Sequence, residues 1–399
     1  MPQTSPNPTM KVSSRGANRL KEGHVWVYRS DIVSADGIPP GAVVTVTDPR
    51  GKPLGSALYS SASQIAIRLI SREPITDFPG VVRQRIADAI AYREPIVHNT
   101  DAYRLIFSEA DFLPGLIVDR YRDILSLQIL TQAWDSDSLR QALISELNAR
   151  LKPESIVERV DPRVRELEKL PARPSGLVHG SKTATVITMN GVQFHYDGLE
   201  GQKTGAFLDQ RENYAAAAQY AHGDALDVFC YQGAFALHLA PPCAQVTAVD
   251  SSRPALEVAD QNAILNRREP TQPEIEWIEA NAFDLLKDYA ASGHQYDTVV
   301  LDPPAFAKTK RDLDAALRGY KELNLRALKM LRPGGILVTC SCSYHVSQAD
   351  LLGTLAAAAL DAHKTVRILE LRGQSRDHPI LLNVPETSYL KCVIAHVSN

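Results

Sequence analysis

The sequence is poor in cysteine. Its 399 residues contain five, Cys230, Cys243, Cys340, Cys342 and Cys392. An odd number with no CxxC pair excludes a fully paired secreted framework and points to reduced thiols in a cytoplasmic protein. Long apolar runs are also missing. The alanine-rich stretch from Leu351 to Leu360 falls well short of the roughly 20 residues a membrane helix needs, so no membrane is expected. The opening MPQTSPNPTMKV has no apolar segment behind basic residues, which excludes a secretory signal there and leaves residues 1–9 as a frayed tail. There is no low-complexity tract and no GxGxxG. Net charge is only −3, which argues against coating nucleic acid through bulk charge.

What is present is a folded composition, 44% hydrophobic and 22% charged, in a chain long enough for two or three domains. The charge is unevenly spread. Residues 1–100 carry 12 Lys and Arg against 8 acids, and residues 303–332 carry 8 against 3, whereas residues 251–300 are acidic. Clustered cations of this kind suit a phosphate backbone, although a solvated helix face is the plain alternative.

Residues 10–75 read as short strands between Gly/Pro turns, a small β-barrel-like domain. Residues 76–197 begin with a helix whose Val82, Ile86 and Ile90 share a face. They continue as strands, a helix at Ser136–Leu151 and a hairpin in TATVITMNGVQFHYD, an α+β domain. From residue 198 to 399 the pattern alternates. ALDVF, QVTAVD, IEWIEA, YDTVVLD and GGILVTC are short buried strands separated by helical stretches, as in a doubly wound parallel α/β sheet. Ligands in such sheets sit at the carboxyl ends of the strands.

The first strand leads into LDVFCYQGAFALHLA, where Asp227, Phe229 and Gly233 precede a helix. A glycine there would let a ligand approach the backbone. The acid suits the cationic amino-acid end of S-adenosylmethionine better than a dinucleotide pyrophosphate. The second strand ends at Asp250, where a carboxylate can take two ribose hydroxyls. NAD would use the same acid, so a dehydrogenase stays open at this point, as does a helix cap. Asn281, after the third strand, either faces an adenine edge or caps the next helix.

The fourth strand ends in Asp302-Pro303-Pro304, a rigid loop suited to holding a flat base against a methyl donor. The fifth carries Cys340 and Cys342. Strand cysteines are more often inert core residues, but the position beside Asp302 favours chemistry. Carbon 5 of a pyrimidine is a poor nucleophile until a thiolate adds at carbon 6, whereas exocyclic and ring nitrogens need no such help.

Together QKTGAFLDQRENY, LDVFCYQGAF, LDPPAFAK and TCSCSYH, with RLISREPI and FSEADFLPGLIVDRY in the N-terminal half, resemble a known family. These are the bacterial class I S-adenosylmethionine-dependent large-subunit rRNA cytosine-C5 methyltransferases, and the likeness covers nearly the whole chain. The resemblance implies a PUA-like RNA-binding domain (10–75), a central EEHEE-like α+β domain (76–197) and a Rossmann-like methyltransferase domain (198–399). It implies that Lys203, Thr204, Gly205, Asp209, Gln210 and Arg211 close over S-adenosyl-L-methionine, and that Asp227, Phe229, Gly233, Asp250, Asn281, Asp302 and Pro303 line it. No metal is implied. Cys342 matches the nucleophile in T-x-S-C-S, Asp302 is its catalytic partner, and Cys340 falls at a variable position.

The implied partner is 23S rRNA or a large-subunit assembly intermediate, and a homodimer is compatible with it. Lys11, Arg15, Arg19, Lys21 and Arg29 are the expected RNA-backbone contacts, and Lys308 or Lys310 the expected source of positive charge for the thiolate. The chain departs from the family in having Asn281 for an aspartate, Tyr344 and His345 after the cysteine, and no cysteine after the prolines of Asp302-Pro303-Pro304. Methylation at a guanine nitrogen or at uracil carbon 5, and a non-catalytic RNA-binding or assembly role, are the alternatives.

Overall fold

The computed structural model describes residues 7–200, 206–267, 274–307 and 309–399. The chain divides into two compact units. The first takes Met1–Thr188, Tyr196–Leu208 and Arg376–Thr387, and the second takes Met189–His195, Asp209–Ser375 and Ser388–Asn399.

The first unit holds two five-stranded sheets. One runs in the spatial order Thr9–Lys11, Val43–Thr47, Pro53–Tyr59, Ile65–Ser71, Trp26–Tyr28, so regular structure already begins inside the stretch read as a tail. The other runs Gly176–His179, Ser155–Glu158, Ile124–Ile129, Leu116–Tyr121, Ala102–Phe107. Three strands precede the Asp137–Leu151 helix, and Ile124–Ile129 then pairs in parallel with Ser155–Glu158. The Phe78–Arg93 helix buries Ile86 and Ala89, with Val82 and Ile90 packed at the edge of the same core. The anticipated hairpin, Ala184–Met189 with Val192–Asp197, turns at Asn190-Gly191. Both residues there have positive φ, 52° and 84°, the backbone that a two-residue turn between twisted strands requires.

The second unit is a seven-stranded sheet. We label its strands β1 (Asp224–Val228), β2 (Gln245–Asp250), β3 (Glu276–Glu279), β4 (Tyr296–Leu301), β5 (Leu331–Ser341), β6 (Thr365–Arg372) and β7 (Lys391–Ser398). Its helices are α1 (Arg211–Tyr220), α2 (Ala234–Leu239), α3 (Arg253–Asn266), α4 (Ala282–Ser292), α5 (Leu313–Met330) and α6 (Gln348–Asp361). The spatial order is β3-β2-β1-β4-β5-β7-β6. The first five strands are parallel, and β7 is antiparallel to both its neighbours.

The central strands read as unbroken apolar runs because both faces are covered. Leu226, Val228, Val299, Leu301 and Leu337 share a core with Tyr320, Leu323, Ala327 and Leu328 of α5 and Leu351, Leu355 and Ala358 of α6. Those helix positions recur every three to four residues, which is the stripe that faces a sheet. Ser252 caps α3 with a proline in the first turn, and Ser347 with Asp350 forms a capping box on α6. Chain reversal at β1 places the loops after β1, β2, β4 and β5 along one edge. This is a Rossmann-like architecture, and that edge is where a ligand would sit. Among the described residues no helix is long and apolar enough to cross a membrane.

Candidate active site

Asp227, at the end of β1, is fully buried. Its Oδ2 accepts the Ala236 N–H at 2.9 Å, so the acid ties its own turn to α2. Oδ1 is buried with no hydrogen-bond partner among the described residues. Burial pushes this carboxyl up to about 8; the Ala236 N–H opposes that rise, and the charges of Asp302 and Asp250 add to it. An unpartnered buried acceptor with its proton affinity raised this far is a place made for a cationic donor. It fits the amino-acid end of S-adenosylmethionine.

Gly233 does something different from what its sequence position suggests. Its φ is +81°, and a Cβ there would stand 2.7 Å from the Trp277 ring and 3.2 Å from Ala259. The missing side chain makes room for the tryptophan, not for a ligand. The neighbouring loop is strained as well, since Phe229 and Tyr231 both hold positive φ (68° and 50°). Such backbone persists where the surroundings over-determine it. The Phe229 and Cys230 N–H groups both donate to the Val249 carbonyl of β2.

Asp250 completes that anchoring. Its two oxygens accept the Tyr231 and Ser252 N–H groups, each at 2.9 Å. The cap of α3 is therefore Ser252 and not Asp250. Asn281 does cap α4, its side-chain oxygen accepting the Phe283 N–H at 2.9 Å and the Asp284 N–H at 3.4 Å.

Asp302 begins the loop after β4, half-buried, with its Oδ1 accepting the Gln210 amide at 2.9 Å. Gln210 in turn accepts the Asn213 amide at 2.6 Å. Asp209 is held by the Tyr389 hydroxyl at 2.7 Å, and its carbonyl takes both donors of Ser375. Arg211 is buried, and its carbonyl accepts the Asn190 amide. Lys203, Thr204, Gly205 and Lys308 lie outside the described residues.

Cys340 and Cys342 separate sharply. Cys340 is 0% exposed and faces Cys392 across the β5–β7 ladder; the hydrogen bond from Cys392 and burial hold its thiol well above the ordinary range. Cys342 lies just past the end of β5, half-buried, with Sγ 4.0 Å from the buried Pro303's carbonyl. The two flanking serines form a network that sequence reasoning missed. The Ser341 hydroxyl donates to Tyr320 Oη at 2.8 Å. The Ser343 hydroxyl accepts the Phe306 and Ala307 N–H groups at 3.0 and 3.2 Å and lies 3.1 Å from the same phenol. One hydroxyl thus binds the Asp302-Pro303-Pro304 loop to the cysteine loop. Lys391 was also missed; its ammonium donates to the Ser343 carbonyl at 2.7 Å. Tyr344 projects outward, 49% exposed, against the His345 ring.

The basic segments are less free than their composition suggests. On α5 and beyond it, Lys321 pairs with Asp361, Arg326 with Glu322, and Arg332 with Asp224 and Asp297 at the opposite edge of the sheet from Cys342. Lys310, Arg311 and Arg318 are exposed. In the first unit the Arg29 guanidinium is spent on the Ser60 and Ser63 carbonyls, and Arg19 reaches His24 and Glu386. Arg15 meets Asp31 at 2.8 Å while remaining 73% exposed, and Lys21 meets Asp48 at 3.4 Å. Lys11 is exposed.

The family described as S-adenosylmethionine-dependent methyltransferase matches residues 174–378, and the one described as PUA-like domain matches residues 10–72. Ribosomal RNA large subunit methyltransferase I of Photobacterium profundum is 37% identical over 391 residues, covering 95% of this chain and 96% of that protein. Its namesake in Shewanella denitrificans is 38% identical over 389 residues, with coverage of 95% and 96%. A crystal structure of a protein described as a methyltransferase, complexed with SAH, superposes with a TM-score of 0.82 over 98% of this chain and 100% of its own; at 19% identity it speaks to the fold alone. The cofactor is S-adenosylmethionine, and the dinucleotide reading of Asp250 falls. The chain belongs to the S-adenosylmethionine-dependent methyltransferases, in the family of ribosomal RNA large subunit methyltransferase I.

Proposed function

We propose that the chain methylates carbon 5 of a cytosine in 23S rRNA, free or within a large-subunit assembly intermediate, through a covalent adduct of Cys342 at carbon 6. The observation that carries this reading is the placement of Cys342. It is the more accessible thiol of the Cys340–Cys342 pair, just past the end of β5 and beside the Pro303 carbonyl and the Asp302 loop. A ribosomal RNA substrate is supported by the names of the curated relatives. Residues 10–75 and 76–197 would grip the RNA, with Lys11, Arg15 and Lys21 as exposed phosphate contacts, and residues 198–399 would carry the chemistry.

When bound, S-adenosylmethionine supplies an electrophilic methyl group. Asp227 would hold its ammonium through the unpartnered Oδ1, Asp250 its ribose, and Asn281 its adenine through the amide nitrogen left over from the cap. Asp209, Gln210 and Arg211 would close the site beside Phe229, Gly233, Asp302 and Pro303, with Lys203, Thr204 and Gly205 expected alongside.

The target cytosine must leave its stack to reach this edge. The Cys342 thiolate adds to carbon 6, forming the C–S bond, while Asp302 holds a proton on ring N3. The electron pair of the 5,6 double bond then becomes available at carbon 5 as an enamine, which would form the new carbon–carbon bond to the methyl group as the methyl–sulfur bond of the cofactor breaks and its electron pair stays on sulfur. Transfer of the carbon-5 proton to a base, for which water is the candidate, restores the double bond and expels the Cys342 thiolate.

Mass mapping of 23S rRNA from cells lacking the gene, complemented with single variants, tests this. Cys342→Ala is expected to leave the cytosine unmethylated, and Cys340→Ala to restore the mark. Full methylation with Cys342→Ala would sink covalent catalysis. Loss in Cys340→Ala together with retention in Cys342→Ala would transfer the role to Cys340.

A further inference from the structure

Lys391 is a buried cation on the strand beside the Cys342 loop. It stands opposite Ser341 in the β5–β7 pairing, next to the Cys340–Cys392 pair. Only 8% of it is exposed. Its ammonium donates to the Ser343 carbonyl at 2.7 Å and to the Tyr389 carbonyl at 2.9 Å. Two carbonyls satisfy two of its three N–H bonds but bring no opposite charge into contact with it. Among the described residues no carboxylate oxygen comes within the 4.0 Å of an ion pair. A buried charge without a counter-charge is costly, so packing alone does not account for a lysine here.

We propose that Lys391 is a positioning residue for the nucleophile: pinned by the Ser343 carbonyl, its ammonium supplies the positive charge that favours the Cys342 thiolate. The inference rests on the reading of Cys342 as the attacking thiol.

The charges around that thiol show why a cation is needed. From the β4 loop come Asp302 and the Pro303 carbonyl, and from α5 the Tyr320 phenol, whose proton affinity is raised mainly by its burial, with Cys342 and Asp302 adding to it. Asp350 of α6, already engaged by the Ser347 N–H and hydroxyl, acts on Lys391. All of these are negative or electron-rich, and a thiolate among them without a cation would be disfavoured. Burial lowers the Lys391 ammonium to about 8, while Cys342 and Asp350 work to keep its proton on. It is therefore charged at neutral pH, and its support for the thiolate fades as pH rises through that value. Of the two lysines that the sequence suggested, Lys310 is exposed on the turn before α5 and Lys308 lies outside the described residues.

The test is the pH dependence of iodoacetamide alkylation of the full-length protein, read at the Cys342 peptide by mass spectrometry. The other four cysteines are buried and act as internal references. Wild type is expected to alkylate Cys342 with a midpoint below the ordinary thiol value of about 8.5. Lys391→Met is expected to raise that midpoint by about one unit, slowing alkylation roughly tenfold near neutral pH, and Lys391→Arg to keep it low. A wild-type midpoint at or above the ordinary value, or a Lys391→Met profile that overlays wild type, overturns the proposal. Should Lys391→Met lack the wild-type circular dichroism, the wild-type midpoint decides. Alkylation is read without turnover, so methyl transfer by Cys342→Ala would overturn the nucleophile assignment while leaving the charge effect measurable.

Discussion

Replacing Asp227 by asparagine is expected to stabilise the ligand-free protein, and to do so more strongly as pH rises. Burial is the main reason its carboxyl is raised from 3.8 to about 8 in the folded chain. Between those two values the folded protein holds a proton that the unfolded chain has released. Stability therefore falls as pH rises through the window and levels off above it, at about 1.4 kcal/mol per pH unit for one group. From pH 5 to pH 7 that amounts to about 3 kcal/mol. Asparagine carries no such proton, and its carbonyl oxygen can still accept the Ala236 N–H. The advantage of Asp227→Asn should thus widen by up to about 3 kcal/mol over those two units, on the order of 5–10 °C in Tm. Scanning calorimetry of both proteins at pH 5, 6 and 7 reads this directly. A Tm difference that stays constant with pH would refute the reasoning, because it would mean that Asp227 is ionised across the range. Isothermal titration adds the functional arm. The variant should give no binding heat with S-adenosylmethionine, and wild-type affinity would remove Asp227 from the cofactor site.

Ser343→Ala leaves the Phe306 and Ala307 N–H groups without their shared acceptor. It should cost about 1–3 kcal/mol in chemical denaturation and lower kcat more than it raises the KM for RNA, since it loosens the Asp302 loop; a wild-type kcat would show that the loop does not need this tether. Gly233→Ala must accommodate both a φ of +81° and a 2.7 Å approach to Trp277, and is expected to lose about 1–3 kcal/mol by denaturant midpoint. Unchanged stability would mean that the tryptophan moves aside freely. Lys11→Ala combined with Arg15→Ala should weaken 23S rRNA binding and flatten the log–log salt slope by about two, with cofactor affinity unchanged; an unaltered slope would remove that face from the RNA contact.

The sheet was legible because its strands are short apolar runs that stop at polar residues. Asp227, Asp250 and Asp302 mark where three of them stop, and the structure puts all three at or just past the carboxyl ends of their strands. The Asn281 cap was legible for a related reason, since the side chain that ends an apolar pattern also serves the next N–H groups, whereas the cap considered for Asp250 falls on Ser252 instead. What could not be read were contacts between distant parts of the chain. Ser341 and Ser343 look like ordinary strand serines until Tyr320 and the loop at Phe306 come up against them. Lys391 looks like a surface lysine on a final strand until burial beside Ser343 is seen. Charge counting also overstated the available cations, because sequence does not reveal which guanidinium is already spent, as Arg29 and Arg332 are. Gly233 was placed correctly and explained wrongly, its open side being filled by a ring more than forty residues away.

The segment Arg376–Thr387 belongs to the first unit although it is encoded near the chain's end. There Asp377 accepts the Arg104 N–H through its carboxylate and an Arg93 N–H through its carbonyl, and Val384 is fully buried in the core beside Met10 and Val27. Domains ordinarily fold in the order in which they are synthesised, N-terminal first. Here the first unit lacks part of its core until residues 376–387 have been synthesised. A chain ending anywhere before residue 376 presents an unfinished core, which makes synthesis through residue 387 a precondition for a stable first unit.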